Sequence, residues 1–143
     1  MRDSGQIHYC NTDLDLTNAG DLTPLGEAFE SAGLLQLHVT QSDNGMWYAI
    51  FEAGTLDEER DDRERYVKPE LDIAVMLAVV ESLAPPLRVL WDGCTIREFD
   101  IGYDCGNEPW AFNQGLSNAL LRRIAAAGAT LRVTLYPNRE TAW

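Results

Sequence analysis

The chain has 143 residues, of which 45% are hydrophobic and 24% charged, a composition typical of one globular domain. Eleven Lys and Arg residues stand against 23 Asp and Glu residues, which gives a net charge of −12. Because phosphate backbones and anionic membrane surfaces repel such a chain, neither nucleic-acid nor membrane binding is expected. We expect a single domain over residues 1–143, with loose tails at 1–6 and 138–143 and a solvated charged loop at 55–67.

The cysteines and the N-terminal sequence indicate in which cellular compartment the protein is expected. Cys10, Cys94 and Cys105 are odd in number and form no CxxC pair, so three free thiols are expected. The N-terminus lacks the pattern of a secretory signal, and no apolar run approaches the roughly 18 residues of a membrane span. The expected location is the cytoplasm.

The first predicted elements are a strand and a helix. The strand covers Ile7 to Leu16 and is firmest from Ile7 to Cys10, since the aspartates that follow have low strand propensity. Thr23-Pro24 predicts a helix start, with the Thr23 hydroxyl capping the first free amides, and Gly33 predicts the helix end.

A hairpin is predicted next. Its first strand has one buried face, because apolar residues alternate with polar ones: Leu35, Leu37 and Val39. Asn44-Gly45 tolerates the positive φ angles of a tight turn, so the chain returns as a strand over Met46 to Ala53. The outer face of that strand is also apolar at Met46, Tyr48 and Ile50, which favours partial cover by a partner.

Two helices and a strand follow in the pattern. Pro69 opens a helix that is apolar on most sides, and Pro85-Pro86 ends it. A short helix then packs Trp91 inward. Strand periodicity covers Ile96 to Cys105.

A helix and a strand close the pattern. The helix carries an apolar stripe that ends at Gly128. The last strand stops at Pro137, and in it Leu131, Val133 and Leu135 alternate with polar residues and Tyr136. The whole order predicts an α+β two-layer sandwich of the ferredoxin-like kind, βαββα(α)βαβ, with about five strands and three main helices on one face.

The segment Ala125 to Thr130, the strand Leu131 to Tyr136 that follows it, and the strand beginning at Trp47 resemble parts of a bacterial ferredoxin-like family of unknown function. Some members of that family look like immunity proteins paired with secreted toxins. The resemblance implies protein binding rather than chemistry.

Three carboxylates share one face of the predicted fourth strand: Glu98, Asp100 and Asp104. With His38 or Arg132 beside them they would form a polar cluster, in which neighbouring carboxylates can separate into acid and base roles. The alternative is an ordinary water-facing strand whose acids pair with Arg97 and Arg132.

The loop after this strand carries two large aromatic residues, Trp110 and Phe112. Trp is enriched at binding hot spots, so both residues, together with Tyr103, are candidate contacts for a partner. The alternative is that Trp110 and Phe112 fold back and cover the core.

The signals for metal binding and catalysis are weak. Asn11, Asp13 and Asp15 alternate as ligands of a hard cation would, but the rest of an EF-hand pattern is missing. Zinc would need His8 and His38 together with cysteines that are distant in sequence. We expect no metal, no cofactor and no catalytic residue.

A thiol nucleophile at Cys105 is disfavoured because the acids beside it, Asp104 and Glu108, oppose the thiolate form. The leading hypothesis is therefore a small acidic protein-binding module, of the immunity-inhibitor type, for a basic protein partner. The alternatives are an enzyme with a carboxylate site on the sheet and a homodimeric structural domain that meets its copy through Met46, Tyr48 and Ile50.

Overall fold

The computed structural model describes residues 5–54 and 69–137, so the predicted charged loop at 55–67 lies outside the described residues, as does the predicted tail at 138–143. The described part is an α+β arrangement of a five-stranded mixed sheet and four helices, in the predicted order. The strands are β1 (His8–Asn18), β2 (Leu35–Gln41), β3 (Trp47–Glu52), β4 (Ile96–Asp104) and β5 (Thr130–Tyr136). The helices are α1 (Thr23–Ser31), α2 (Pro69–Glu81), α3 (Pro85–Asp92) and α4 (Asn118–Ala126).

The strands lie in the order β2-β3-β1-β4-β5, with all neighbours antiparallel except β4 and β5. The central strand β1 runs to Asn18 although Asp13 and Asp15 lie within it. Its pairing with strands on both sides outweighs the low strand propensity of these aspartates.

One face of the sheet packs against the helices and forms the core. Phe29 of α1 meets Phe51 of β3 edge to face, with ring centroids 4.9 Å apart, and also contacts Trp91 of α3. Trp91 is fully buried as predicted, and its Nε1 donates to the carbonyl of Ala127 at 2.8 Å. All four described helices contribute side chains to this one cluster, so none of them covers the opposite face. Within the described ranges, no helix combines the length and the apolar character that crossing a bilayer requires.

The prediction that Leu35 and Leu37 are buried is wrong. The pairing of β2 with β3 shifts between Gln36 and His38, so one extra residue inverts the side-chain alternation. Val39 packs on the core, whereas Leu35 and Leu37 are exposed at the edge of the sheet.

The apolar residues that alternate in the last strand are exposed as well: Leu131, Val133 and Leu135. β5 is the other edge of the sheet, and the buried side chains of α4 belong to the core beneath the strands before it. Alternation indicated the strand correctly but could not indicate whether a helix covers it.

The turn signals are confirmed, and one capping signal is wrong. Gly33 ends α1 with a φ of 105°, and Gly45 forms the hairpin turn with a φ of 88°. Thr23 does not cap α1 with its hydroxyl. Its backbone N–H instead donates to Asp21 Oδ1 at 2.8 Å, because Thr23 is already the first helical residue.

The N-terminal segment is paired earlier than predicted. Gln6, expected in a loose tail, forms a bridge with Glu108, and the N–H of Ile7 donates to the Glu108 carbonyl at 2.7 Å. The loop after β4 thus lies against the start of β1.

Candidate functional site

The sheet face that the helices leave uncovered carries a cluster of five carboxylates. In the register of β1 with β4, Asp13 lies opposite Asp100 and Asp15 lies opposite Glu98. Residues opposite each other in a ladder point to the same face. With Glu52 of β3, these side chains form what we call the acidic face: Asp13, Asp15, Glu52, Glu98 and Asp100.

Neutral side chains bind part of this face. Asn11 Nδ2 donates to Glu52 Oε2 at 2.8 Å and, at 3.3 Å, to Asp13 Oδ1. The hydroxyl of Thr134 on β5 donates to Asp100 Oδ1 at 2.6 Å. These bonds orient the carboxylates but do not neutralise them.

Arg132 is the only arginine or lysine on this face among residues 5–54 and 69–137. Its Nε lies 2.9 Å from Glu98 Oε1, so the predicted pairing of Arg132 with a carboxylate is confirmed. One cation against five carboxylates leaves the acidic face with surplus negative charge.

Crowding raises the pKa values of two of the aspartates. Burial and a hydrogen bond to Glu52, with repulsion from nearby carboxylates, raise the pKa of Asp13 from 3.8 to about 7. Burial, with repulsion from Asp100 and Glu98, raises the pKa of Asp15 to about 6, although Arg132 partly offsets this. Ionisation of Asp13 and Asp15 therefore lowers the stability of the folded protein.

The predicted cluster of Glu98, Asp100 and Asp104 is divided by the structure. Asp104 lies on the same face four residues further along β4, is 7% exposed, and places its Oδ2 3.2 Å from His8 Nε2. Glu98 and Asp100 lie instead beside the aspartates of β1. Strand length separates the two groups by about 13 Å, at roughly 3.3 Å per residue.

The two other expected neighbours of the cluster do not belong to it. His38 lies on edge strand β2, three strand spacings of about 4.8 Å from β4. Arg97 lies opposite the buried Leu16 and so faces the helices, where it donates to the carbonyls of Trp91, Asp92, Cys94 and Gly128. The position of His38 follows from the order of the strands, and that of Arg97 from the face of β4 to which it points. The spacing of residues in the sequence specifies neither.

The aromatic candidates have different environments. Trp110 is 99% exposed and did not fold back over the core. Phe112 is half-buried, and its ring packs edge to face on Tyr103 at 5.8 Å. Tyr103 also contacts Tyr9, and burial raises the pKa of its phenol. Of the three predicted contacts, Trp110 is the one whose whole ring is accessible to a partner.

Three residues of the acidic face are not among the predicted site residues: Asp13, Asp15 and Glu52. A signal is present in β1, where polar residues at odd positions alternate with Leu14 and Leu16. That period-two pattern indicates an open face rather than the incomplete cation loop suggested by Asn11, Asp13 and Asp15. Their approach to Glu98 and Asp100 depends on strand pairing.

The helix layer holds an apolar groove of about 540 Å³ between α1, α2 and α3. Small and aliphatic side chains such as Ala28, Ala78 and Leu87 line it, and none of its lining residues is titratable. The acidic face lies on the opposite side of the sheet from this groove.

No protein-family model, no curated protein and no solved structure matches this chain.

Proposed function

We propose that this protein is a binding module for a basic protein partner, and that the acidic face is the surface it uses. The observation that carries the proposal is the ratio of acidic to basic side chains: five half-exposed acidic residues on one uncovered sheet face, with Arg132 as the basic residue among them. The chain's net charge of −12 has the same sign and would steer a cationic partner toward this face.

The raised pKa values supply a driving force for binding. Asp13 and Asp15 are held where their ionised forms are disfavoured by burial and by like charges. A lysine or arginine from a partner would compensate these charges and lower both pKa values. Binding should then release protons and strengthen as pH rises from about 5 to 8.

The dimensions of the face suit a protein ligand. Five strands at about 4.8 Å spacing, each about 20 to 25 Å long, present on the order of 500 Å². A standard interface takes about 800 Å² from each partner, so the sheet face would supply more than half of that area and the surrounding loops would have to supply the rest. Tyr48 and Ile50 add partly buried apolar surface beside the carboxylates, and Trp110 is an exposed aromatic anchor.

The finer proposal is an immunity-type inhibitor acting in the cytoplasm on a basic toxin domain. Three free cysteines, Cys10, Cys94 and Cys105, support a reducing compartment. The antiparallel order β2-β3-β1-β4 supports a ferredoxin-like core, to which α4 and β5 add a parallel strand. A homodimer through Tyr48 and Ile50 is disfavoured because it would bring two acidic faces together; light scattering measures this directly.

The experiment is a pull-down from the native host at low ionic strength, with three baits. Wild type is compared with Asp15→Asn/Asp100→Asn on the acidic face and with Glu27→Gln/Glu30→Gln on exposed positions of α1. Each variant replaces two carboxylates with amides, so a difference between them reports where the replaced carboxylates lie rather than how many were replaced. We expect a basic protein that wild type and the α1 variant retain, that the acidic-face variant loses, and that salt releases.

Two results would contradict the proposal. One is equal capture by all three baits, which would mean that the partner uses another surface. The other is the absence of any specific partner at low ionic strength.

A second candidate function is acid–base catalysis, favoured by one observation. Asp13 is hydrogen-bonded to Glu52 and has a pKa of about 7, so it can hold a proton near neutral pH and donate it to a substrate. A small-molecule activity screen that compares wild type with Asp13→Asn tests this function. Equal turnover by the two proteins on every active substrate would exclude Asp13 as the acid.

A further inference from the structure

A second polar cluster, separate from the acidic face, lies where β1 begins and β4 ends. His8, Cys10 and Asp104 each offer one ligand atom there, and the three atoms lie within 4.8 Å of one another. We propose that these residues form a binding site for a divalent transition-metal ion. Imidazole, thiolate and carboxylate together suit zinc, which is borderline in softness and accepts all three donors.

Strand pairing and a bulge bring the three donors together. His8 lies opposite Asp104 in the register of β1 with β4. The register shifts between Tyr9 and Asn11, which leaves Cys10 as the extra residue of a bulge. A bulge re-aims a side chain that would otherwise follow the regular alternation.

The surroundings of the two ring nitrogens of His8 fit a metal ligand. Its Nδ1 lies 3.3 Å from the Gln6 carbonyl, an acceptor, which favours the tautomer with the proton on Nδ1. Its Nε2 lies 3.2 Å from Asp104 Oδ2, so an ion bound at Nε2 would also be within reach of that carboxylate. A backbone carbonyl at the second ring nitrogen is the usual support of a metal-binding histidine.

The distances fit a tetrahedral ion. At a tetrahedral angle, bonds of about 2.0 to 2.2 Å to nitrogen and oxygen place two such ligands about 3.3 to 3.6 Å apart. The separation of His8 Nε2 and Asp104 Oδ2, 3.2 Å, is close to the lower end of this range. Cys10 Sγ is within 4.8 Å of both, so a small side-chain rotation completes the set. Three protein ligands leave a fourth position for water or for a donor from a partner.

The surroundings favour a bound cation. A metal ion at this position would interact strongly with the carboxylate of Asp104, because Asp104 is only 7% exposed and water screens the interaction little. The acidic face lies further along the same sheet surface and raises the local concentration of cations. The ion would also join the start of β1 to the end of β4, so binding should stabilise the fold.

The test uses the full chain, free of any affinity tag and with its thiols reduced, and Co²⁺ as a spectroscopic probe. We expect one equivalent to bind, with the charge-transfer absorption of a cobalt–thiolate bond, displacement by Zn²⁺ and an increase in melting temperature. Cys10→Ser should abolish the thiolate absorption. His8→Gln should weaken affinity by more than the roughly 10- to 100-fold that loss of an outer-shell partner costs.

Matched controls are available for both ligands. Cys105→Ser removes a half-buried thiol next to Asp104, and His38→Gln removes the exposed histidine on β2; both variants should bind Co²⁺ as wild type does. Circular dichroism establishes that each variant is folded, and if Cys10→Ser is not, His8→Gln decides. Absence of the thiolate absorption in reduced wild type overturns the proposal. So does full affinity in a folded His8→Gln variant, or loss of the absorption in Cys105→Ser.

Discussion

Asp13 of β1 and Asp100 of β4 lie directly opposite each other on the uncovered face of the sheet. Like charges opposite each other in an antiparallel pair destabilise it, and here both carboxylates stand near a third, Asp15. This repulsion therefore lowers the free energy of unfolding, and it lies on the surface that we propose for partner binding. Substitutions that remove the repulsion can be tested by their effect on stability, without knowledge of the partner.

Asp13→Asn should change how stability depends on pH. The folded-state pKa of about 7 lies above the unfolded value of 3.8, so the folded protein holds this proton more tightly, and unfolding free energy falls as pH rises from about 4 to 7. The variant should lack that fall and be more stable at pH 8, on the order of 1 to 2 kcal/mol after discounting for solvent screening. Urea titrations at pH 5 and pH 8 measure it. Asp43→Asn, on the exposed hairpin, should keep the wild-type dependence; an unchanged slope in Asp13→Asn would contradict the raised pKa.

Two tryptophans allow a matched comparison of burial. Trp91→Phe leaves a cavity in the core and an unpaired carbonyl at Ala127, so unfolding free energy should fall by about 2 to 4 kcal/mol. Trp110→Phe, at a position 99% exposed, should change it by less than about 0.5 kcal/mol. Urea denaturation monitored by circular dichroism measures both. Equal losses would mean that Trp110 is packed.

Arg97 and Arg132 allow internal hydrogen bonds to be compared with an ion pair at the surface. Arg97 donates to four carbonyls around the C-terminus of α3 and the turn before β5, so Arg97→Gln should destabilise the protein by about 2 to 3 kcal/mol. The Arg132 side chain is 58% exposed in its pair with Glu98, so Arg132→Gln should cost less than about 1 kcal/mol. Thermal melts of both variants test the order. A larger loss for Arg132→Gln would reverse our assignment of their roles.

Two glycines with positive φ differ in their surroundings. A Cβ at Gly54 would lie 2.5 Å from the backbone nitrogen of Leu35, so Gly54→Ala must displace backbone and should cost more than about 2 kcal/mol. Gly45→Ala, where no atom lies within 4 Å, should cost about 1 kcal/mol from the unfavourable φ alone. Melting temperatures measured under one condition compare them. Indistinguishable losses would show that the backbone near Leu35 adapts.

The elements that the sequence predicts well are those marked by a local signal. Gly33 ends α1 and Gly45 turns the hairpin because only glycine adopts those φ angles without strain. The apolar stripe of α4 ends at Gly128 for the same reason. Each of these signals acts within a few residues, so no knowledge of the tertiary structure is needed to find it.

The sequence predicts the burial of a side chain poorly where that burial depends on residues distant in the sequence. Leu37 belongs to an alternating pattern, but a bulge and an edge position leave it exposed. Val133 alternates equally well and is exposed because β5 is the outer strand. Alternation specifies a strand and its two faces; it does not specify which strand lies at the edge.

Composition and local pattern alone determined an acidic α+β chain, its order of elements and the buried position of Trp91, since these depend on residue type and short-range spacing. Only the tertiary structure decided which carboxylates share a face with Glu98, that Arg97 points to the helices, and that His8 and Cys10 meet Asp104. The physical reason is that strand register joins residues nearly a hundred positions apart through backbone hydrogen bonds, which carry no side-chain signature in the sequence.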